Sequence, residues 1–235
     1  MQLNEKFWER YLNSYDVLND IHPYRQLLVD ICSLLKIIPN EIILDAGCGT
    51  GNLSVVMKKM GAKCIGLDSN IAAVHIYNQK IGDHQGIEGN LTQKFPFPDK
   101  SFDKIVCNNV LYSIASEKRG EVLKEFYRVL KTNGILVISD PVDHFKKRKI
   151  FISAFRYDLT KLGLLGAIVK ELRMVVLLFK PLYYNLLIDY FVKQNPHINS
   201  HLDHIELLKT YGFLADLNMV SYAGQNIISR ARKTT

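Results

Sequence analysis

Two acids and three glycines are the residues of this chain whose types and spacing could do chemistry. In the run "EIILDAGCGTGNLS", Asp45 stands just before Gly47, Gly49 and Gly51, and Asp68 closes the run "KCIGLD" 23 residues after Asp45. Glycines after a buried strand let the backbone turn tightly and come close to a ligand, and the helix that follows aims its amide dipole at that ligand. A nucleotide-like guest suits such a loop. A dinucleotide does not: the spacing is GxGxG, Asn52 stands where a later glycine would, and the carboxylate of Asp45 would repel a pyrophosphate. The same carboxylate suits a ligand that carries an ammonium group and a sulfonium, and Asp68 stands where a carboxylate can accept both hydroxyls of a ribose. The plainer alternative gives each feature a purely structural role, with a tight turn for the glycines and a helix cap for Asp68.

These residues need a sheet to hold them. "IILDA" reads as a buried strand, "NLSVVMKKMG" as a helix closed by Gly61, and "KCIGLD" as a second strand, which makes a βαβ unit. The alternation continues with a helix over 70–81, a short strand at Gly86–Glu88, the strand "FDKIVCNN", a helix over 117–130 and the strand "GILVISD" after the turn "KTNG". Alternation of this kind predicts an α/β fold, a doubly wound parallel sheet whose ligand site lies off the carboxyl ends of the strands. Helical spacing of Phe7, Trp8, Tyr11 and Tyr15, then of Leu27, Leu28, Ile31, Leu34 and Leu35, predicts two helices, over 5–19 and 21–37, before the first strand. After an interruption of about 60 residues a helix near 201–211 leads to "FLADLNMVSY", a turn at Ala223–Gly224 and "QNIISRARK", an antiparallel hairpin. The chain is thus expected to be one domain: a helical cap over 1–40, a ligand-binding core over 41–140, a helical lid or substrate insertion over 141–200, and a final helix and hairpin over 201–235.

The motif Asp45-Ala46-Gly47-Cys48-Gly49-Thr50-Gly51, "GLD" at 66–68, "FPFPDKSFD" at 95–103 and "RVLKTNGILVISDP" at 128–141, in this order, resemble those of the class I S-adenosylmethionine-dependent methyltransferases. The resemblance covers 41–140 and the terminal hairpin. It implies a seven-stranded Rossmann-like sheet, S-adenosylmethionine as cofactor and S-adenosylhomocysteine as product. It implies that Asp45 and the backbone of Gly47, Cys48, Gly49 and Gly51 meet the methionine part of the cofactor, that Asp68, with Ser69 beside it, meets the ribose, and that Asn90 and Leu91 frame the adenine. Asn90 stands where the family usually has Asp, and accepts a hydrogen bond without charge. Asn108 maps to a position whose backbone lies near the reactive end of the cofactor. "ERYLNSYDVLND" at 9–20 is similar to the N-terminal segment of methyltransferases acting on quinone precursors and phospholipid amines, and this adds Tyr15 and Asp16 to the cover of the cofactor.

A sulfonium already activates the methyl group, so the protein has chiefly to align a nucleophile and exclude water, with a base only where the acceptor must lose a proton. The candidates stand at strand ends: Tyr112 and Ser113 after the fourth strand, and Asp140, Asp143 and His144 after the fifth. Beside these readings, His144 also reads as a solvated loop histidine and Asp140-Pro141 as a strand-ending turn. No metal site is expected. In "HINSHLDH", His197, His201 and His204 offer an i, i+4 pair without an acid to complete it, which reads as a capping, solvent-facing segment.

Four separated cysteines without a CxxC pair fit a reduced, cytoplasmic setting, and the charged N-terminus and lack of about 18 uninterrupted apolar residues predict neither an export signal nor a membrane span. The net charge of +7 is uneven: between Asp143 and Lys180 nine Lys or Arg face three Asp or Glu. There "KKRK" at 146–149 precedes a strongly apolar helix on which Gly163, Gly166, Lys170 and Arg173 would form one narrow stripe. Such a segment either packs over the fold as a lid or rests on an anionic membrane surface through 144–180, and both versions imply a hydrophobic acceptor. The expected activity is therefore methyl transfer to the oxygen, nitrogen or carbon of a small apolar acceptor: a lipid, a quinone precursor or another apolar metabolite. A nucleic-acid or protein acceptor is the alternative substrate class; against nucleic acid, the basic residues lie among aliphatic rather than stacking aromatic side chains, and the fourth strand ends "CNNV". The non-enzyme alternative is a peripheral membrane protein that keeps the fold without catalysis. The sequence does not specify an oligomeric state.

Overall fold

The computed structural model describes residues 10–12, 14–82, 84–142, 145–193 and 204–234, with the backbone alone at 180–182 and 184–193. Seven strands form one sheet: β1 (Ile42–Ala46), β2 (Lys63–Asp68), β3 (Gly86–Glu88), β4 (Phe102–Asn108), β5 (Leu130–Pro141), β6 (Phe213–Ser221) and β7 (Asn226–Lys233). Their order is β3-β2-β1-β4-β5-β7-β6, parallel from β3 to β5, with β7 antiparallel to β5 and β6 antiparallel to β7. This is a Rossmann-like α/β sheet with an antiparallel C-terminal hairpin. The order reverses between β1 and β4, so the ends of these two strands open a crevice beside the glycine loop.

The central strands are apolar on both faces because helices cover both. Ile43, Val106 and Val137 pack with Leu27, Leu28, Ile31 and Leu35 of α1 (His22–Leu35), whereas their sequence neighbours Leu44, Ile105 and Leu136 point the other way. There they meet Val122, Leu123 and Phe126 of α4 (Arg119–Val129), the period-two alternation turning continuous apolar runs into two cores. Between these elements lie α2 (Asn52–Lys59) and α3 (Ile71–Ile81). The expected turn "KTNG" is taken into β5 as a bulge: pairing jumps from Phe102–Leu130 to Lys104–Ile135, and Asn133 has φ 61. The helix expected over 117–130 starts with a 3-10 turn at Ser116–Lys118.

Residues 10–12 and 14–15 are helical and run into a 3-10 turn at Asp16–Asp20; Phe7 and Trp8 lie outside the described residues. The insertion is a long helical element, α5 (Lys147–Lys193), and α6 (His204–Thr210) precedes the hairpin. One expectation for α5 is corrected. Gly163, with φ 71 and ψ 177, is not helical, so Gly163 does not share one continuous stripe with Gly166, Lys170 and Arg173, which follow the bend. The left-handed backbone at Gly163 bends the element, and Lys170 Nζ donates to Asp158 Oδ1 at 2.7 Å across the bend. Among the described residues no helix is long and apolar enough to cross a membrane.

Candidate active site

The glycine loop is held by the two acids that the sequence singles out. Asp68 accepts a hydrogen bond from the Gly49 amide on Oδ2 and one from the Asn70 amide on Oδ1, each at 2.9 Å, and so pins the loop from the end of β2. Asp68 is not the cap of α3; Asn70 is, its side chain accepting from the amides of Ala72 and Ala73. Asp45 is buried at the end of β1, where Ser54 Oγ donates to Oδ2 at 2.7 Å and Tyr77 in turn donates to Ser54. Burial pushes the Asp45 carboxyl up to about 7, with the charge of Asp68 adding and the bond from Ser54 opposing. Burial likewise raises Asp68, against the bonds from Asn70 and Gly49.

The glycines divide by role. Gly47 has φ 75, and a Cβ there would stand 2.3 Å from a methyl of Val110, so this position lets the loop close on the strand-end segment beside it. A Cβ on Gly49 would meet nothing within 4 Å, which leaves this stretch of backbone facing open space. Gly51 packs on Tyr77 and starts α2.

That open space is one cavity of about 1060 Å³. Tyr15, Asp45, Gly47, Cys48, Gly49, Asp68, Ser69, Asn90, Leu91 and Asn108 line it, and so do Tyr112 and Asp140. Gly51 is not part of the lining, and His144 and Asp143 lie outside the described residues, as do His197 and His201. Asn90 differs in chemistry from its expected role: its carboxamide oxygen accepts from the amide and the hydroxyl of Thr92, so what it offers a base is its N–H donors. The N-terminal segment is tied to the loop through Asp16, which accepts from Thr50 Oγ1 at 2.9 Å and pairs with Lys80 at 2.6 Å. Tyr15 stacks edge-on against Tyr24 at this end of the cavity.

The opposite end holds a polar group that sequence reasoning missed. His204, expected to face solvent, is buried: Nδ1 lies 2.9 Å from Ser229 Oγ and Nε2 lies 3.2 Å from Asp140 Oδ2. With Asp140 ionised, Nε2 carries the proton toward the carboxylate and Nδ1 accepts from the Ser229 hydroxyl. The Tyr112 amide donates to Asp140 Oδ1 at 3.3 Å, and the buried Arg119 holds the same segment through the carbonyls of Leu111, Tyr112 and Ile114. Burial raises the Asp140 carboxyl, against the lowering effect of the bond from His204. Asn226, also missed, is fully buried and donates to Asn109 Oδ1 and Ser139 Oγ. The available signal was a polar residue inside an apolar strand, as with Asn226 and Ser229 in "NIIS". Around these groups the wall is apolar and aromatic: Ile114, Phe145, Ile150, Phe151, Leu178 and Tyr222.

This fold and site define a class. The chain matches the family described as "Methyltransferase domain" over residues 44–138, which run from β1 to the middle of β5. It is 30% identical over 171 residues to a demethylmenaquinone methyltransferase of Tropheryma whipplei, covering 67% of each chain. Among solved structures it resembles a TehB-like SAM-dependent methyltransferase of Corynebacterium glutamicum, with TM-score 0.63, 17% identity and coverage of 98% of this chain and 100% of that one. It also resembles the 1,6-didemethyltoxoflavin-N1-methyltransferase of Burkholderia thailandensis, with TM-score 0.60, 16% identity and coverage of 98% and 86%. The chain belongs to the S-adenosylmethionine-dependent methyltransferases and is an enzyme of that class, using S-adenosylmethionine as cofactor. Its residues fit that cofactor, with the open Gly49 backbone between two acids and the Asn108 carboxamide oxygen buried beside them without a partner among the described residues.

Proposed function

We propose that the chain methylates a small, apolar, quinone-like acceptor held between the Asp140–His204 pair and the apolar wall contributed by α5. The observation that carries this reading is the single cavity that joins the glycine loop to that wall. At about 1060 Å³ it exceeds the span usual for one small-molecule ligand, about 300–1,000 Å³, and so has room for a cofactor and an acceptor end to end. The name of the Tropheryma whipplei relative points to the same acceptor chemistry.

When bound, S-adenosylmethionine supplies a methyl group already activated by its sulfonium. Asp45 and Asp68 hold the cationic amino-acid end and the ribose, Leu91 supplies an apolar side to the base, and the Tyr15 segment closes over the loop to exclude water. A hydroquinone-like acceptor becomes a nucleophile by losing a hydroxyl proton, and Asp140 is the group placed to take it. His204 acts through Asp140, since both of its ring nitrogens are engaged, and is therefore a positioning residue. The test has two arms. Calorimetric titration with S-adenosylmethionine and S-adenosylhomocysteine should show micromolar binding, in the range of about 1 μM to 1 mM common for enzyme ligands. Transfer of labelled methyl to reduced demethylmenaquinone should then exceed transfer to an RNA or protein acceptor; cofactor binding without transfer to any apolar acceptor would overturn the acceptor assignment and leave the enzyme class standing.

A further inference from the structure

The outer face of the insertion has no partner among the described residues. Leu165, Val169, Leu172, Val176 and Phe179 recur at alternating steps of four and three residues, and each is between 61% and 79% exposed. At 100° per residue they fall within an arc of about 80° and run for about 21 Å along the helix. The opposite side of the same segment is also apolar, with Ala167, Met174 and Leu178 buried against the fold. Burying one face is the ordinary requirement of a surface helix; a second, exposed apolar face of this length is not.

Charge identifies what covers it. Between Phe145 and Phe179 the only carboxylates are Asp158, buried and paired with Lys170, and Glu171. Lys146, Arg148, Lys149, Arg156, Lys161 and Arg173 are exposed in the same stretch. Arg173 borders a shallow crevice of about 420 Å³ at the Gly163 bend, whose floor is Leu162, Leu165 and Val169, so an apolar floor meets a cationic rim. A second copy of the chain would set these cations against themselves, with no carboxylate in the seam to meet Arg173. An anionic bilayer offers acyl chains to the row and phosphates to the cations.

We infer that α5 docks the enzyme on anionic phospholipid membranes, with the Leu165–Phe179 row in the interface and the cations at the head groups. Leu178, Ile150 and Phe151 of the same element line the cavity, so the helix that rests on the lipid also walls the acceptor site. The inference stands apart from the acceptor's identity, because its test contains neither acceptor nor cofactor. The full chain is sedimented with vesicles of phosphatidylcholine alone and of phosphatidylcholine with phosphatidylglycerol. We expect pelleting with the anionic vesicles, weakened by added salt. Arg148→Gln, Lys149→Gln, Lys161→Gln and Arg173→Gln together should weaken it by about fivefold for each cation that reaches the surface. Leu165→Gln, Val169→Gln and Leu172→Gln together should abolish most of the remainder, and since all three side chains are mainly exposed, melting curves should match the parent. If that variant fails to fold, the charge variant alone decides. Equal sedimentation of parent and charge variant, or no pelleting with anionic vesicles, overturns the inference. A dimer in solution that the glutamine variants disperse would overturn it too, and would assign the row to a second copy.

Discussion

The two ends of the cavity are built differently. At the cofactor end the contacts are short in sequence: Gly49 meets Asp68 across 19 residues, and Ser54 meets Asp45 across 9. At the end proposed for the acceptor they are long, with His204 on Asp140 across 64 residues and Asn226 on Asn109 across 117. The first end comes from one βαβ unit whose turn chemistry is written in consecutive residues, whereas the second exists only once the C-terminal hairpin has paired with β5 and α6 has docked. A binding site for an unchanging cofactor can be local. A site for an acceptor drawn from elements far apart in the chain can vary without disturbing it.

If the two ends have separate work, Asp140→Asn should separate turnover from cofactor binding. Loss of a general base lowers kcat by about 10²- to 10⁴-fold, while the dissociation constant for S-adenosylhomocysteine should stay within about twofold, a change of less than 0.5 kcal/mol. His204→Ala should act less strongly and leave a signature. Burial raises the Asp140 carboxyl and the bond from His204 lowers it, so without His204 the acid limb of the pH–kcat profile should move to higher pH. An unmoved limb would reduce His204 to a packing role, and an undiminished kcat in Asp140→Asn would dissolve the comparison altogether.

Gly47→Ala and Gly49→Ala test the cofactor end from within. Alanine at 47 combines a left-handed backbone with a collision with Val110, and roughly 1–2 kcal/mol of conformational strain and 1–3 kcal/mol of overpacking make about 3 kcal/mol of destabilisation. Alanine at 49 has no such collision, so its cost is about 1 kcal/mol of strain, and its main effect should fall on cofactor affinity. Thermal melts with calorimetry distinguish them; wild-type affinity in Gly49→Ala would mean that this backbone does not face the cofactor. The contrast also shows what the sequence carries. The strands, the glycine loop and both acids were legible because backbone conformation and strand-end position follow from local residue types. His204 was not, because its i, i+4 spacing to His201 suggests an exposed face while its actual partners, Asp140 and Ser229, lie on β5 and β7. The bend at Gly163 was likewise hidden, since a glycine within an apolar run leaves open whether the helix continues through it.

Asp45 gives the cofactor end a pH dependence of its own. The folded chain holds the Asp45 proton up to about 7, whereas the unfolded chain releases it near its ordinary value of 3.8, so folding takes up a proton between the two. The cofactor-free protein should therefore lose stability as pH rises through this window, by roughly 1 kcal/mol per pH unit from this group, and the loss should level off above it. A cationic ligand favours the ionised form, so affinity for S-adenosylmethionine should rise with pH through the same window. Asp45→Asn should flatten both trends, read by melts and by titration across a pH series. A parent profile that is already flat would mean that Asp45 stays ionised and meets the cofactor as a permanent charge.

The smallest effect is expected where the chain departs from the carboxylate usual in its family. The carboxamide oxygen of Asn90 is occupied by both donors of Thr92, a local turn that Asp forms equally well. In Asn90→Asp one carboxylate oxygen keeps Thr92 and the other replaces the amide N–H donors with an acceptor for the exocyclic amine of adenine. A hydrogen bond of this kind is worth about 0.5–1.5 kcal/mol net, so S-adenosylhomocysteine should bind roughly three- to tenfold more tightly, with the melting temperature little changed. Weaker binding would show that the base meets position 90 through an acceptor of its own, with the Asn90 N–H as donor. In that case the asparagine sets how the adenine is read, and the cofactor end, the more local of the two, would also carry a feature particular to this chain.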